Sequence, residues 1–345
     1  MNIHMDDILN IFRALADPTR LRIMLLLLKM ELAVGELAQI LDQSQPRISR
    51  HIKILDEAGL AERRKEGSWV FLRPGQAAEL QPLRRIFGSE KVVKSEQART
   101  DEAQLSLVRQ ARAEMAESYF AAHAEEWDAI RSLHVSESEV EQAMHALLQD
   151  IELGHLLDIG TGTGRMIELF GANAERVTAL DNSPEMLRLT RAKLEKENAD
   201  DGAMRQIGKK TELKIGDFNQ LPLADGSTNS AILHQVLHYA QNPETVISEV
   251  SRVLSDDGIL VIVDFASHHH EELRRDHAHA RLGFSDESMG RWFDLNNIDL
   301  VNTRNLDGGE LSVKLWMGQK SGLTRLHPDH SENSRHNNEQ KRNIA

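Results

Sequence analysis

The sequence predicts an α/β protein in two parts: a helix-rich N-terminal domain closed by a two-stranded ribbon, then a mainly parallel sheet with helices on both faces. Three observations carry this. Short helical patterns fill the first 80 residues and end in a hairpin signal; from residue 153 strand-like apolar runs alternate with helical ones; and 345 residues suffice for two cores at roughly 100 to 200 residues each.

In order, "DDILNIFRALA", "PTRLRIMLLLL", "AVGELAQIL" and "QPRISRHIKILDEAG" have helical spacing, with Pro18 at a helix start and Gly59 closing the last. "LAERRKEGSWVFLRP" alternates around Glu66-Gly67, as a hairpin does. Helices followed by a two-stranded ribbon make a winged helix-turn-helix, assigned to 1–88. Residues 89–130, rich in Ala, Glu, Gln and Arg with sparse apolar positions, read as a solvated helical linker, with a partner-binding stripe as the alternative. In 131–320, "GHLLDIG", "RVTALD", "TELKIGD", "SAILHQVLHY", "GILVIVDF", "DLVNTRNL" and "ELSVKLWMG" supply strands between helical segments. The tail 321–345 has too few apolar residues to fold and reads as disordered.

No run approaches the roughly 18 to 20 apolar residues of a membrane span, and "MNIHMDDILNIF" carries acids where a signal peptide carries bases, so a cytoplasmic protein without a membrane partner is expected. The absence of cysteine excludes disulfides, thiolate metal sites and cysteine nucleophiles. The net charge of −13 is uneven: residues 1–88 hold thirteen Lys/Arg against eleven Asp/Glu, so the acidity belongs to the remainder.

A helix that reads the DNA major groove needs apolar residues inward and donors or cations outward. In "SQPRISRHIKIL", Ile48, Ile52 and Leu55 take the inward positions, and Ser44, Gln45, Arg47, Ser49, Arg50 and Lys53 project elsewhere. Arg pairs bidentately with guanine and Gln with adenine, while hydroxyls hold phosphates. Arg63, Arg64 and Lys65 in the ribbon are expected along the DNA backbone or minor groove. "ALADPTRLRIMLLLL", "VGELAQIL", "SQPRISRHIKILDEAGL" and "RKEGSWVFLRP" resemble the ArsR family of winged-helix repressors over residues 8–74. The resemblance implies a homodimer on an inverted-repeat operator in double-stranded DNA. Many such repressors sense metals through a cysteine pair; the corresponding residues here, Glu31 to Gly35, lack it, so no metal is expected and the inducer is sought elsewhere.

"LLDIGTGTGR" is an apolar run, an acid, then Gly160, Gly162 and Gly164. Arg165 stands where a dinucleotide loop needs its third glycine, and no phosphate-binding G-x-x-x-x-G-K-[ST] occurs, so NAD and ATP are disfavoured. The loop resembles motif I of the class I S-adenosylmethionine-dependent methyltransferases, with a Rossmann-like sheet, and the resemblance covers about 116–318. It implies S-adenosyl-L-methionine or S-adenosyl-L-homocysteine as cofactor. It further implies Asp158, Gly160, Thr161, Gly162 and Gly164 around the ligand, and Asp181, with Asn182 and Met186, at the ribose. Asp217 is implied for the adenine amino group, Phe218 for the adenine ring, His234 and Gln235 for the methionine moiety, and the linker 89–130 as a cofactor lid through Tyr119 and Phe120. One departure is that Asn229-Ser230 replaces the usual aromatic-Asp pair of the fourth strand.

Methyl transfer needs an in-line nucleophile and often a base. His234, His238, Tyr239 and His268 are weak catalytic candidates, joined by His269 and His270, and sixteen histidines place several near any site by chance. The stretch after 266 resembles ArsR–methyltransferase fusions, in which Arg274, His277, Arg281 and Phe284 would cap the site. The reading is a DNA-binding transcriptional regulator whose second domain binds the cofactor as effector, with its use as methyl donor left open. The alternative is a small-molecule methyltransferase using the winged helix only to dimerise. Arsenic methylation is disfavoured, since known arsenic methyltransferases use thiolates.

Overall fold

A computed structural model of the chain describes residues 5–66, 69–79, 81–123, 137–195, 203–308 and 311–322. The N-terminal helices are α1 (Met5–Leu15), α2 (Pro18–Leu27), α3 (Val34–Ile40) and α4 (Gln45–Glu57). Asp17 caps α2 by accepting from the Arg20 amide at 3.0 Å, with Pro18 in the first turn where its missing N–H costs nothing. Gly59, at φ +67°, stops α4: its amide reaches the Asp56 carbonyl and that of Leu60 reaches Leu55, both at 2.9 Å. Ile48, Ile52 and Leu55 of α4 are buried, as their spacing predicts. β1 (Leu32–Ala33), β2 (Ala61–Glu66) and β3 (Trp69–Pro74) form an antiparallel sheet in the order β1-β3-β2, so β2 and β3 are the wing.

After α5 (Gln81–Phe87) and α6 (Glu90–Val93) comes the long α7 (Glu96–His123). The expected solvated linker is not what the structure shows. Leu105 and Val108, three apart and therefore on one stripe, are buried in the core of the N-terminal domain. Asp101, also buried, takes a bidentate bond from Arg22 of α2 at 2.7 and 2.8 Å. Farther along, Tyr119 and Phe120 pack beside Met186 of the second domain. The helix is a strut seated in both halves.

The second domain contains β4 (His155–Ile159), β5 (Arg176–Asp181), β6 (Thr211–Ile215), β7 (Thr228–His234), β8 (Leu254–Phe265), β9 (Ile298–Asp307) and β10 (Ser312–Lys320). They form one seven-stranded sheet in the order β6-β5-β4-β7-β8-β10-β9. β4 to β8 pair in parallel, and β10 runs antiparallel to both its neighbours. The chain moves outward from β4 to β6 and returns to β7, so strand order reverses beside β4, where open α/β sheets hold ligands. Asn229 and Ser230 have structural work: the Asn229 side chain accepts from the His155 amide at 2.9 Å, and the Ser230 hydroxyl donates to the Leu153 carbonyl at 2.7 Å. Among the described residues no helix is long and apolar enough to cross a membrane.

Trp316 of β10 is fully buried, and its indole N–H donates to Asp286 at 2.8 Å. Trp316→Ala is expected to lower the unfolding free energy by about 3–5 kcal/mol, read from denaturant melts.

Candidate functional site

The glycine loop leaves β4 at Ile159 and enters the helix Arg165–Phe170. Gly160, Gly162 and Gly164 all have positive φ, at 67°, 54° and 84°, a backbone that L side chains rarely adopt. At Gly160 the space is also closed: a Cβ would stand 2.3 Å from Cγ2 of Val236. The Gly160 and Thr161 amides donate to the Leu180 carbonyl at 2.8 and 3.0 Å, and the Thr161 hydroxyl donates to Asp158 at 2.6 Å. The carboxylate of Asp181, at the tip of β5, accepts from the Gly162 amide at 2.8 Å and the Ser183 amide at 2.9 Å. Burial pushes this carboxyl up, against the backbone donors Ser183, Gly162 and Asn182, which favour the charged form. Asp181 thus ties the loop to the start of the helix Pro184–Glu195 before any ligand is considered.

These residues line a cavity of about 570 Å3, within the usual range for small-ligand sites. Of the residues expected at a cofactor, Asp158, Gly160, Thr161, Gly162, Asp181, Asn182, Met186, Asp217, Phe218, Gln235 and the lid residue Phe120 are in its wall. Gly164 and Tyr119 are not among the lining residues. A Cβ on Gly164 would meet Thr190 at 2.9 Å, so this glycine serves helix packing. The Tyr119 hydroxyl instead meets Nδ1 of His277 at 2.7 Å.

Of the catalytic candidates, His234 and Tyr239 line the cavity and His238 and His268 do not. His238 is buried, with Nδ1 2.8 Å from Asp264 and its ring stacked on His279 at 4.0 Å. His268 lies edge-on to Phe265, and His270 holds Glu272 at 2.8 Å. Burial, with the nearby Tyr119 and Asp264, pushes the Tyr239 phenol well up, which keeps it protonated at neutral pH.

Ser44 at the N-cap of α4 and Gln45, Arg47, Ser49, Arg50 and Lys53 along it are all exposed, and so are Arg63 and Lys65 on the wing. Arg64 departs from that group. Alternation along β2 turns it to the opposite face, where it pairs with Glu31 at 3.0 Å and lies 5.5 Å from the Phe71 ring centroid.

Sequence reasoning missed the far wall of the cavity, which is built by Lys29 and Met30 after α2, Arg109 and Arg112 of α7, and Gln241, Asn242 and Thr245 after β7. The spacing of Arg109 and Arg112 on one helix face was the available signal. The expected capping residues also sit elsewhere. Arg281, 3% exposed, donates to Glu31 at 2.5 Å and to the Gln241 carbonyl. Arg274 lies 5.1 Å from the Phe71 centroid, and Phe284 packs against Trp292 in the core. Arg112 donates to Glu36 at 2.7 Å and to the Gln241 side chain. Burial alone would raise the Glu31 carboxyl, but Arg281 and Arg64 outweigh it and hold it at about 2. A carboxyl depressed in this way contributes stability that is fully present above its unfolded value and lost as pH falls through its folded one. The melting-temperature gap between wild type and Glu31→Gln is therefore expected to be constant above about pH 4.5 and to close toward about pH 2.

Comparison with known proteins agrees with both halves. Residues 17–63 match the model "Bacterial regulatory protein, arsR family", and 157–262 match "Methyltransferase domain". The arsenical resistance operon repressor of Escherichia coli is 53% identical over 66 residues, 19% of this chain and 56% of that protein. An uncharacterised HTH-type transcriptional regulator of Methanocaldococcus jannaschii is 45% identical over 62 residues, 18% of this chain and 70% of that protein. The malonyl-acyl-carrier-protein O-methyltransferase of Laribacter hongkongensis is 34% identical over 123 residues, 35% of this chain and 40% of that protein. The match thus spans about half the length of the first and less of the third. By its N-terminal domain the chain belongs to the arsR family of bacterial regulatory proteins, and that domain is fused here to a methyltransferase domain.

Proposed function

We propose that the protein is a DNA-binding transcriptional regulator whose methyltransferase domain, over residues 131–320, binds S-adenosylmethionine or S-adenosylhomocysteine as effector. The observation that carries this reading is the solvent-facing row of Arg47, Arg50 and Lys53 on a helix whose other face is core. A helix buried in a dimer would hardly present three cations together, since each would have to be desolvated. A homodimer on an inverted repeat is supported by α1, where Met5, Ile8, Leu9 and Phe12 form an exposed apolar stripe that a second copy can cover.

The cavity fits an adenosyl ligand. Its floor is a loop of positive-φ glycines, and the carboxylate of Asp181, which lines it, accepts two backbone bonds and retains lone pairs for hydroxyls. Asp181 would hold the ribose, Asp217 and Phe218 the adenine, and His234 and Gln235 the methionine end. When bound, S-adenosylmethionine supplies an electrophilic methyl group. His234, the imidazole among the described lining residues, would hold a proton near an acceptor, so transfer to a small molecule is the second activity to be assayed.

Asp181→Ala is expected to weaken cofactor binding at least tenfold by calorimetry; wild-type affinity would move the ribose elsewhere. Arg50→Ala is expected to cost about 1–3 kcal/mol of operator affinity, and that affinity should fall steeply with salt. Cofactor at saturation is expected to change operator affinity, and operator DNA to change cofactor affinity by the same factor. Labelled methyl transfer to an extract component, with no preference for operator over random duplex, would favour the methyltransferase that only dimerises through its winged helix.

A further inference from the structure

Gln241 is part of the cavity wall and also the meeting point of two ties to the N-terminal domain. Its backbone carbonyl accepts from Arg281, which reaches Glu31; its side-chain oxygen accepts from Arg112, which reaches Glu36. Glu31 directly follows Met30, a cavity residue, and also holds Arg64 of β2. Three guanidinium groups, Arg64, Arg274 and Arg281, lie 5.1 to 5.5 Å from the ring centroid of Phe71 on β3. Glu36 belongs to α3, the first helix of the helix-turn-helix, and its second oxygen accepts from the Ala33 amide at 2.7 Å. The wing and the helix that precedes the reader are therefore both fastened to one residue of the cavity wall.

We propose that the DNA-reading domain is itself a wall of the ligand cavity, and that Gln241, through Arg281–Glu31 and Arg112–Glu36, links an occupant's position to that of the wing and reader helix. The proposal rests on the reading of the cavity as an adenosyl-ligand site. Its physical basis is that a shielded charge cannot slide away from its partner without an uncompensated desolvation cost. A shift of Gln241 is thus passed to Glu31 and Glu36 as a rigid displacement rather than absorbed locally. A ligand that fits one arrangement of these groups better than another shifts the reader domain by that differential affinity.

The test is amide hydrogen exchange on the full chain, without DNA, with and without saturating S-adenosylhomocysteine, and again with S-adenosylmethionine. In the wild type, exchange at 29–36 and 61–66 is expected to slow at least fivefold with one of the two ligands. In Glu31→Gln, the calorimetric affinity is expected to stay within threefold of wild type while the slowing at 61–66 drops below twofold. Arg281→Lys, which keeps the charge but loses the fork, is the second variant should Glu31→Gln melt early, and the same loss is expected. Met30→Ala is expected to weaken binding at least fivefold. Slowing at 61–66 that persists in both clasp variants, or affinity unchanged in Met30→Ala, would overturn the proposal and leave the cofactor reading intact. Failure of the wild type to bind either ligand would overturn both.

Discussion

A guanidinium removed from water costs several kcal/mol unless opposite charge and acceptors meet it, and Arg281 is almost wholly removed. Its partners come from two different domains: the Glu31 carboxylate on one side and the Gln241 carbonyl on the other. The arrangement of the two halves depends on this requirement, because separating them would strand the charge of Arg281. Its backbone is placed with equal care. The amides of Ala280 and Arg281 donate to the His238 carbonyl at 3.0 and 2.9 Å, and His238 is held by Asp264 beneath it. The histidine that sequence reasoning offered as a base is thus part of the mount for an interdomain arginine.

The cavity is organised by the same economy of polar groups. Asp181 satisfies the Gly162 and Ser183 amides from within the cavity wall. Holding the loop before a ligand arrives reduces the ordering cost of binding. α7 adds the second half of this preorganisation, since its early turns are locked to α2 by Asp101 and Arg22 while Phe120 is part of the cavity wall. The cavity and the winged-helix domain thus share α7 and the wall that Lys29 and Met30 build.

The features legible in the sequence are those set by local spacing. The inward stripe of Ile48, Ile52 and Leu55, the Gly59 stop, the glycine run after β4 and the acid ending β5 are each written in a few adjacent residues, because helix period, strand period and positive φ are local constraints. Arg64 shows where this fails. Its neighbours Arg63 and Lys65 face solvent, but strand alternation turns Arg64 inward, and only the placement of Glu31 and Phe71 gives that inward face a partner. α7 was misread for a related reason. Among the described residues, the two buried apolar positions, Leu105 and Val108, give a weak periodic signal on a long polar helix, and the helix is fixed by contacts with residues far along the chain.

The sequence by itself determined the two domain types, the order of their elements, the exposed polar face of α4 and most residues of the glycine-loop side of the cavity. Tertiary structure alone decided that Lys29, Met30, Arg109 and Arg112 close the opposite side, that Gly164 serves packing, and that Arg281 and Arg274 face the wing rather than a substrate. The division is physical. Backbone geometry and amphipathic period act over a few residues and leave a pattern in sequence. The pairing of a buried charge is set by whichever opposite charge the fold brings near, here across 250 residues between Glu31 and Arg281.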